Sequence, residues 1–253
     1  MTVLPTPAQD HELARDLAAA AGELLLALRS QHHPDAAALR KAGDLSSHEF
    51  ICAELARIRP ADAVLSEEGK DNQARLAADR VWIVDPLDGT REFGEPGRTD
   101  WAVHIALWAG GELAAGAVAL PAQGKVLSTA DPLPPRQPPA EPLRLVVSRS
   151  RPPQFVTELT GQLGAELLPM GSAGAKAAAV ITGEADAYVH AGGQYEWDSA
   201  APVAVAQAAG LHTSRIDGSA LRYNQADPYV PDILISPTAL APRLLELIRK
   251  ELP

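Results

Sequence analysis

The chain has 253 residues, of which 46% are hydrophobic and 21% charged, with a formal net charge of −10 and a single cysteine. This length and apolar content predict a packed α/β protein rather than a disordered chain, and one cysteine excludes an intrachain disulfide or a cysteine zinc cluster. The acidic balance argues against a nucleic-acid-binding surface. No apolar run approaches the roughly 20 residues of a membrane helix, and the N-terminus shows no signal-peptide pattern. We therefore expect a cytoplasmic protein without nucleic-acid or membrane partners.

The first 130 residues predict two helices followed by a mainly antiparallel sheet. Helical spacing of apolar residues begins at Pro7 and continues to Leu28, and a second helical pattern runs from about Ser47 to Arg59. Strand-like runs follow, and the turn residues between the last three are typical of an antiparallel meander. The runs are 63–65, 81–84, 102–108, 113–120 and 125–129.

Residues 131–142, DPLPPRQPPAEP, contain six prolines and predict an exposed connector, because proline lacks the amide hydrogen that helices and central strands need. Strand and helix patterns alternate beyond it, which predicts an α/β lobe. We therefore expect an N-terminal lobe at 1–130 and a C-terminal lobe at 143–253. The predicted strands of the second lobe are 143–147, 166–170, 185–190 and 232–236, and its helices are 153–163, 174–182, 199–209 and about 237–250.

The most informative motif is VWIVDPLDGT at 81–90, in which an apolar strand delivers Asp85 and Asp88 into a turn. Carboxylates at the end of a strand project into the crevice where such sheets bind ligands, and oxygen ligands suit Mg²⁺ or Mn²⁺ rather than zinc. The Leu87 carbonyl can add an oxygen, and Gly89 and Thr90 offer donors to an anion. The alternative is an Asp-Pro…Asp-Gly turn that caps itself and binds nothing.

Two further acidic segments lie at the ends of apolar runs. Glu67 and Glu68 follow the run at 63–65, and Asp198 in EWDSAAP opens an alanine-rich helix. Each has an ordinary structural alternative, which is a solvated glutamate pair in the first case and a helix N-cap in the second.

Taken together, the three segments resemble the signature of the inositol monophosphatase-like, lithium-sensitive phosphatase family, in order and in spacing, from about residue 10 to 240. The resemblance also covers GSA at 171–173, the 183–186 turn and WAVHIAL at 101–107. It implies an α/β (α+β) fold, a layered αβαβα sandwich with two sheets as in inositol monophosphatases and fructose-1,6-bisphosphatases. It also implies hydrolysis of a small phosphate ester with two or three Mg²⁺ ions, for which Mn²⁺ can substitute.

The resemblance further assigns roles to individual residues. The residues it places on the metals are Glu67, Asp85, Leu87 through its carbonyl, Asp88 and Asp198. It gives water activation to Thr90 with Asp44, although the threonine of the family's V-T-x-A-D motif is missing here and Asp44 can instead be a capping or loop acid before the 47–59 helix. The residues it places at the substrate are Gly89, Thr90, Gly171, Ser172, Lys176 and Glu196. Lys176 either contacts a second phosphate or lies on a solvated helix face.

Within the family, TREF at 90–93 and HAGGQYEWDSAAP at 190–202 resemble the branch of CysQ-type 3′(2′),5′-bisphosphate nucleotidases. That resemblance implies hydrolysis of 3′-phosphoadenosine 5′-phosphate (PAP), and of the sulfated nucleotide PAPS, to AMP or APS and phosphate, a step tied to sulfate assimilation. Lithium inhibition and a homodimer are family expectations. The alternatives are an inositol-1-phosphatase or fructose-1,6-bisphosphatase on the same metal core, and a metal-binding regulatory protein without activity.

Overall fold

The structure of the protein is a computed structural model, which describes residues 7–133, 139, 141–150 and 152–251. Half of the predicted connector at 131–142, residues 134–138 and 140, therefore lies outside the described residues. In the described part of the chain, no helix has the length and apolar content needed to cross a bilayer.

The helices and strands alternate along the chain as follows. The helices are α1 Pro7–Arg29, α2 Ala36–Ile58, α3 Thr90–Gly94, α4 Gln154–Leu163, α5 Ala173–Thr182, α6 Glu196–Ala208 and α7 Ala241–Glu251. The strands are β1 Ala63–Ser66, β2 Arg80–Asp88, β3 Ala102–Ala109, β4 Glu112–Leu120, β5 Lys125–Ser128, β6 Arg144–Ser148, β7 Glu166–Met170, β8 Ala187–Tyr195, β9 His212–Ser214 and β10 Tyr229–Ser236.

These strands form two five-stranded sheets. The first has the order β1-β2-β3-β4-β5, and only its β1–β2 pair is parallel. The second has the order β7-β6-β8-β10-β9, with β6 parallel to both of its neighbours and β10 antiparallel to β8 and β9. The predictions of a largely antiparallel first sheet and of two sheets are both confirmed.

Three apolar clusters hold five layers together. Alternate β2 residues point to opposite faces, as strand geometry requires: Trp82 and Val84 face the cluster with α1 and α2, whereas Val81 and Ile83 face the cluster with α5 and α6. The second sheet covers the other side of α5 and α6, and it packs its far face against α4 and α7. The result is the predicted αβαβα sandwich, since two sheets alternate with three helical layers.

The central helical layer explains the alanine-rich sequence of α6. A Cβ atom added at Gly116 of β4 would lie 2.6 Å from the Ala204 Cβ, so the helix and strand approach as closely as small side chains permit. Ala200, Ala201 and Ala206 are fully buried at the same layer. Small residues are therefore required where a helix is covered by sheets on both sides.

The predicted start of the second helix was wrong by more than two turns. The helix begins at Ala36 rather than near Ser47, because the Asp35 carboxylate caps it by accepting the Ala38 amide hydrogen at 2.8 Å. Gly43 lies inside the helix and weakens the sequence signal there. Glycine is nevertheless needed here, because a Cβ atom at this position would lie only 2.7 Å from the Phe93 ring.

Other predicted elements differ at their ends, and the short helix α3 was not predicted. The last helix begins at Ala241, later than predicted, and β8 extends to Tyr195, beyond the predicted end at residue 190. The short strand His212–Ser214 was not predicted.

Candidate active site

The site is built at the carboxyl end of β2, where a β-bulge brings two carboxylates to one face. Asp85 pairs with His104 and Asp88 pairs with Ala102, so three steps along β2 match two steps along β3. The extra residue shifts the alternation of the strand, and Asp85 and Asp88 therefore point the same way although an odd number of steps separates them. Pro86 lies within this bulge, a place where a sheet tolerates the loss of an amide hydrogen.

A third carboxylate comes from helix α6. Asp198 lies in the first turn of α6, and one oxygen from each of Asp85, Asp88 and Asp198 lies within 4.8 Å of the others. The motif on β2 and the motif on α6 are far apart in the chain, and the packing of α6 against the first sheet brings them together. We call Asp85, Asp88, Asp198 and the neighbouring Glu67 the acidic cluster.

Each aspartate in the acidic cluster is oriented by the protein through one oxygen. Asp85 Oδ1 accepts the Leu87 amide hydrogen at 3.0 Å, and Asp198 Oδ2 accepts the Tyr195 amide hydrogen at 2.6 Å. Asp88 Oδ2 accepts hydrogen bonds from the Ser172 hydroxyl and from the Gly174 amide, the latter at 2.7 Å. One oxygen of each carboxylate is thereby fixed, and the other can serve as a metal ligand.

Glu67 joins the cluster from the end of β1. Its backbone amide donates to the Val84 carbonyl at 3.3 Å, which sets it beside β2. Part of the side chain is exposed, yet its carboxyl group is desolvated by surrounding protein. This desolvation and then the charge of Asp198 raise the pKa of Glu67 to about 7, while a hydrogen bond with Asp85 opposes the shift.

Burial and repulsion between the carboxylates also raise the pKa values of Asp85 and Asp198. Burial, and then the charges of Glu67, Asp88 and Asp198, raise the pKa of Asp85 well above its ordinary value. Burial and then the charge of Asp88 raise the pKa of Asp198 to about 6. Oxygen-only donors that repel one another in this way fit a divalent cation such as Mg²⁺, because the cation would relieve the repulsion.

His104 is a site residue to which the sequence reasoning gave no role. Its ring is fully buried, its Nδ1 donates to the Trp197 carbonyl at 3.1 Å, and its Nε2 lies 3.2 Å from Asp88 Oδ2. Burial lowers the pKa of His104, but the charge of Asp88, the hydrogen-bonding contact with Asp88 and the hydrogen bond to the Trp197 carbonyl together outweigh burial, and the net shift is upward. Burial likewise raises the pKa of Asp88, yet His104 and Lys176 hold it well below its ordinary value. The missed signal was strand register, since His104 lies opposite Asp85.

Asp44 and Thr90 meet at the edge of the cluster. The Thr90 hydroxyl lies 3.3 Å from Asp44 Oδ1 and 3.0 Å from the Leu87 carbonyl, so its single proton can go to either oxygen. Asp44 lies in the interior of α2, which excludes the alternative of a capping or loop acid. Burial and then the charge of Glu68 raise the pKa of Asp44 to about 6.

The turn after Asp88 requires glycine. Gly89 has φ of 80°, and a Cβ there would lie 3.1 Å from the Ser172 Cβ and 3.2 Å from the Asp100 carbonyl oxygen. Thr90 follows as the first residue of α3. The predicted substrate residues Gly171 and Ser172 therefore lie directly across from the DPLDGT turn.

Two other predicted substrate residues are bonded to the backbone instead. Lys176 is 3% exposed, and its Nζ donates to the carbonyls of Gly171 at 2.6 Å and Ser172 at 2.9 Å. The alternative of a solvated helix face is wrong for Lys176. Glu196 is buried, and its carboxylate accepts the amide hydrogens of Asn224 and Gln225, both at 2.7 Å. These contacts favour positioning of the 171–172 and 224–225 turns over direct contact with a substrate.

This chain matches a known protein family and is similar to individual known proteins. The profile of the Inositol monophosphatase family matches residues 8–252. A 3'-phosphoadenosine 5'-phosphate phosphatase of Mycobacterium leprae (strain TN) is 51% identical over 254 residues, covering 95% of this chain and 94% of the relative. One of Mycobacterium tuberculosis (strain CDC 1551 / Oshkosh) is 53% identical over 237 residues, covering 90% of this chain and 89% of the relative.

Among solved structures, CysQ from Bacteroides thetaiotaomicron superposes with a TM-score of 0.77 at 28% identity. The match covers 90% of this chain and 97% of the other. The likeness therefore extends over nearly the whole of both chains.

Proposed function

The chain belongs to the inositol monophosphatase family, and on that premise we propose that it is a Mg²⁺-dependent phosphatase that hydrolyses PAP to AMP and phosphate. The relatives that are just over half identical are PAP phosphatases, and they cover nearly the whole chain. The observation that carries the proposal is the convergence of Asp85, Asp88 and Asp198 within 4.8 Å, since an acidic protein needs a cation there to accept a phosphate.

We assign the metal ligands to the acidic cluster and to one carbonyl. The residues are Glu67, Asp85, Leu87 through its carbonyl oxygen, Asp88 and Asp198. Bound Mg²⁺ would supply positive charge for the phosphate oxygens and would lower the pKa of a water molecule. The protein keeps the ligands in place, because each aspartate has one oxygen held by an amide or hydroxyl hydrogen.

The other residues position water and phosphate. In this role the Thr90 hydroxyl donates its hydrogen bond to Asp44 rather than to the Leu87 carbonyl, and an oxygen lone pair of Thr90 accepts a hydrogen bond from the attacking water. The backbone amides of Gly89 and Thr90 receive the phosphate. Positioning and charge, rather than covalent chemistry by the protein, account for catalysis of this type.

Several finer points belong to the same proposal. Mg²⁺ as the natural metal, inhibition by lithium, acceptance of PAPS, a role in sulfate assimilation and residence in the cytoplasm are all expected of a nucleotidase of this family. The division into lobes at 1–130 and 143–253 fits the two sheets, with Asp198 and the 171–172 turn supplied by the second lobe. A homodimer stays a prediction.

The direct test is phosphate release from PAP, inositol-1-phosphate and fructose-1,6-bisphosphate with and without Mg²⁺. We expect kcat/KM for PAP to exceed the others by about a hundredfold, or about 2.7 kcal/mol in transition-state binding. Comparable rates for the three esters would contradict the substrate and leave the metal site standing. Asp85→Asn should abolish release while the protein stays folded, which separates an enzyme from a regulatory protein that only binds metal.

A further inference from the structure

Two aromatic side chains in the described part of the chain are exposed, and their rings contact each other. All Phe, Trp and Tyr residues fall in the described part of the chain, and of these only Tyr195 and Tyr229 are exposed, at 42% and 43%. The other aromatic rings are buried or partly buried in the layers of the sandwich. Contiguous exposed apolar surface marks binding sites more often than singly scattered exposed side chains do.

The two rings belong to one ordered group. Tyr195 at the end of β8 pairs with Tyr229 at the start of β10, and their ring centroids lie 5.9 Å apart at an interplanar angle of 80°. Trp197 stacks on Tyr195 at 4.9 Å and 11°. The Tyr229 hydroxyl accepts the Gly193 amide hydrogen at 3.2 Å, which holds that ring. We call Tyr195, Trp197 and Tyr229 the aromatic platform.

The aromatic platform is tied directly to the site. The Tyr195 amide donates to Asp198 Oδ2 at 2.6 Å, and the Trp197 carbonyl accepts the hydrogen bond from His104. One residue of the platform thus orients a carboxylate of the acidic cluster, and another orients the histidine beside Asp88. The backbones of Tyr195 and Trp197 are therefore each one hydrogen bond away from a residue of the site.

We infer that the aromatic platform binds the base of the nucleotide substrate by stacking, and that Tyr195 and Tyr229 determine specificity for nucleotides over sugar phosphates. The inference rests on the proposed function and deepens it. In PAP the base and the 3′-phosphate are carried by the same ribose, so the base stays within one sugar ring of the reacting group. Every nucleobase has a π-face that can stack on tyrosine, whereas inositol phosphates and fructose bisphosphate have none.

The test compares one substrate that has a base with one that has none. Tyr195→Ala and Tyr229→Ala are assayed on PAP and on inositol-1-phosphate at saturating Mg²⁺. We expect each to lower kcat/KM for PAP by about 5- to 150-fold, which corresponds to about 1–3 kcal/mol of stacking, with the rate on inositol-1-phosphate unchanged. Tyr195→Phe keeps the ring and should keep the preference. Leu26→Ala removes exposed apolar surface on α1, in an outer helical layer, and should change neither rate.

A second readout does not depend on turnover. Calorimetric titration with AMP and with inorganic phosphate should show weaker AMP binding in the alanine variants and unchanged phosphate binding. If the alanine variants do not fold, Tyr195→Leu and Tyr229→Leu give the same comparison, because leucine keeps apolar contact without a π-face.

The outcomes separate this inference from the proposed function. An active wild type whose alanine variants keep the full preference for PAP would overturn the role of the platform, as would an equal loss on both substrates. A wild type that hydrolyses none of the esters yet binds AMP through Tyr195 and Tyr229 would refute the phosphatase and support the platform.

Discussion

Replacing Asp44 with asparagine should make the protein more stable and less active at the same time. The asparagine side chain would keep an oxygen that can accept the Thr90 hydroxyl proton, now at 3.3 Å from Asp44 Oδ1, but it would carry no charge. The wild-type carboxylate is held half-buried near Glu68, with Arg40 as the opposing cation, and its pKa is raised to about 6. Its ionisation therefore costs the folded state free energy.

The size and the pH range of the stability effect follow from that pKa. A carboxyl group with a folded pKa above its unfolded value contributes stability at low pH, and that contribution is lost as the pH rises through about 6. A shift from 3.8 to about 6 corresponds to about 3 kcal/mol if fully transmitted, and solvent screening of a half-buried group reduces it to about 1–2 kcal/mol. In metal-free protein at pH 8, Asp44→Asn should raise Tm by roughly 2–8 °C, and the gain should shrink toward pH 5.

Activity should move the other way. If Asp44 holds Thr90 for the attacking water, the variant should lose about 10²–10⁴-fold in kcat on PAP with little change in KM, because Asp44 does not touch the substrate. Wild-type kcat at saturating Mg²⁺ should fall as the pH drops below about 6, and the variant should lack that acid limb. Asp79→Asn, at an exposed aspartate, is the matched control and should change neither property. A fully active Asp44→Asn enzyme, or one that is both inactive and less stable, would refute the reasoning.

Three further predictions concern packing and charge. Gly174→Ala should lower the free energy of unfolding by about 1–3 kcal/mol, because the added Cβ would overlap His104 Nε2. The control Gly161→Ala in α4 places its Cβ where no atom lies within 4 Å, so it should raise the free energy of unfolding by about 0.5–1 kcal/mol. Thermal denaturation of the two variants measures the difference. Mg²⁺ should raise Tm more at pH 8 than at pH 5, since Glu67 and Asp198, with pKa values of about 7 and about 6, repel each other once ionised; an equal rise at both pH values would argue against the cluster as the metal site. Lys176→Met should lower the free energy of unfolding by about 1–3 kcal/mol, because the carbonyls of residues 171 and 172 would lose their hydrogen-bond donor. A raised KM with an unchanged free energy of unfolding would instead indicate that Lys176 contacts the substrate directly.

Local patterns in the sequence were enough to predict most elements and the presence of two sheets, whereas the αβαβα order of the layers was implied by the family resemblance. The meander of the first sheet was recognisable because glycine and proline turns punctuate its strands, and the alternation in the second lobe predicted a second sheet. The start of α2 could not be predicted in the same way. Its interior contains Gly43, whose packing against Phe93 compensates for poor helix propensity only in the folded protein.

For the candidate site as well, some features could be predicted from a short segment and others could not. The DPLDGT motif indicated Asp85, Asp88 and Thr90 as candidate site residues, because the spacing of acids, proline and glycine in a turn is a property of a short segment. That spacing does not show that both aspartates face one way. The β-bulge between β2 and β3 decides this, and a bulge depends on the partner strand.

The sequence by itself determined the composition of the acidic cluster, the class of metal that oxygen donors favour, and the family to which the motifs point. The tertiary structure alone decided which groups surround that cluster: His104 against Asp88, Lys176 beneath the 171–172 turn, and Tyr195 beside Tyr229. The physical reason is that a short segment of sequence already shows which residue types can bind a metal. Burial, charge partners and the exposure of aromatic rings instead depend on contacts between segments that are far apart in the chain. Those contacts form only when the two sheets close over α5 and α6.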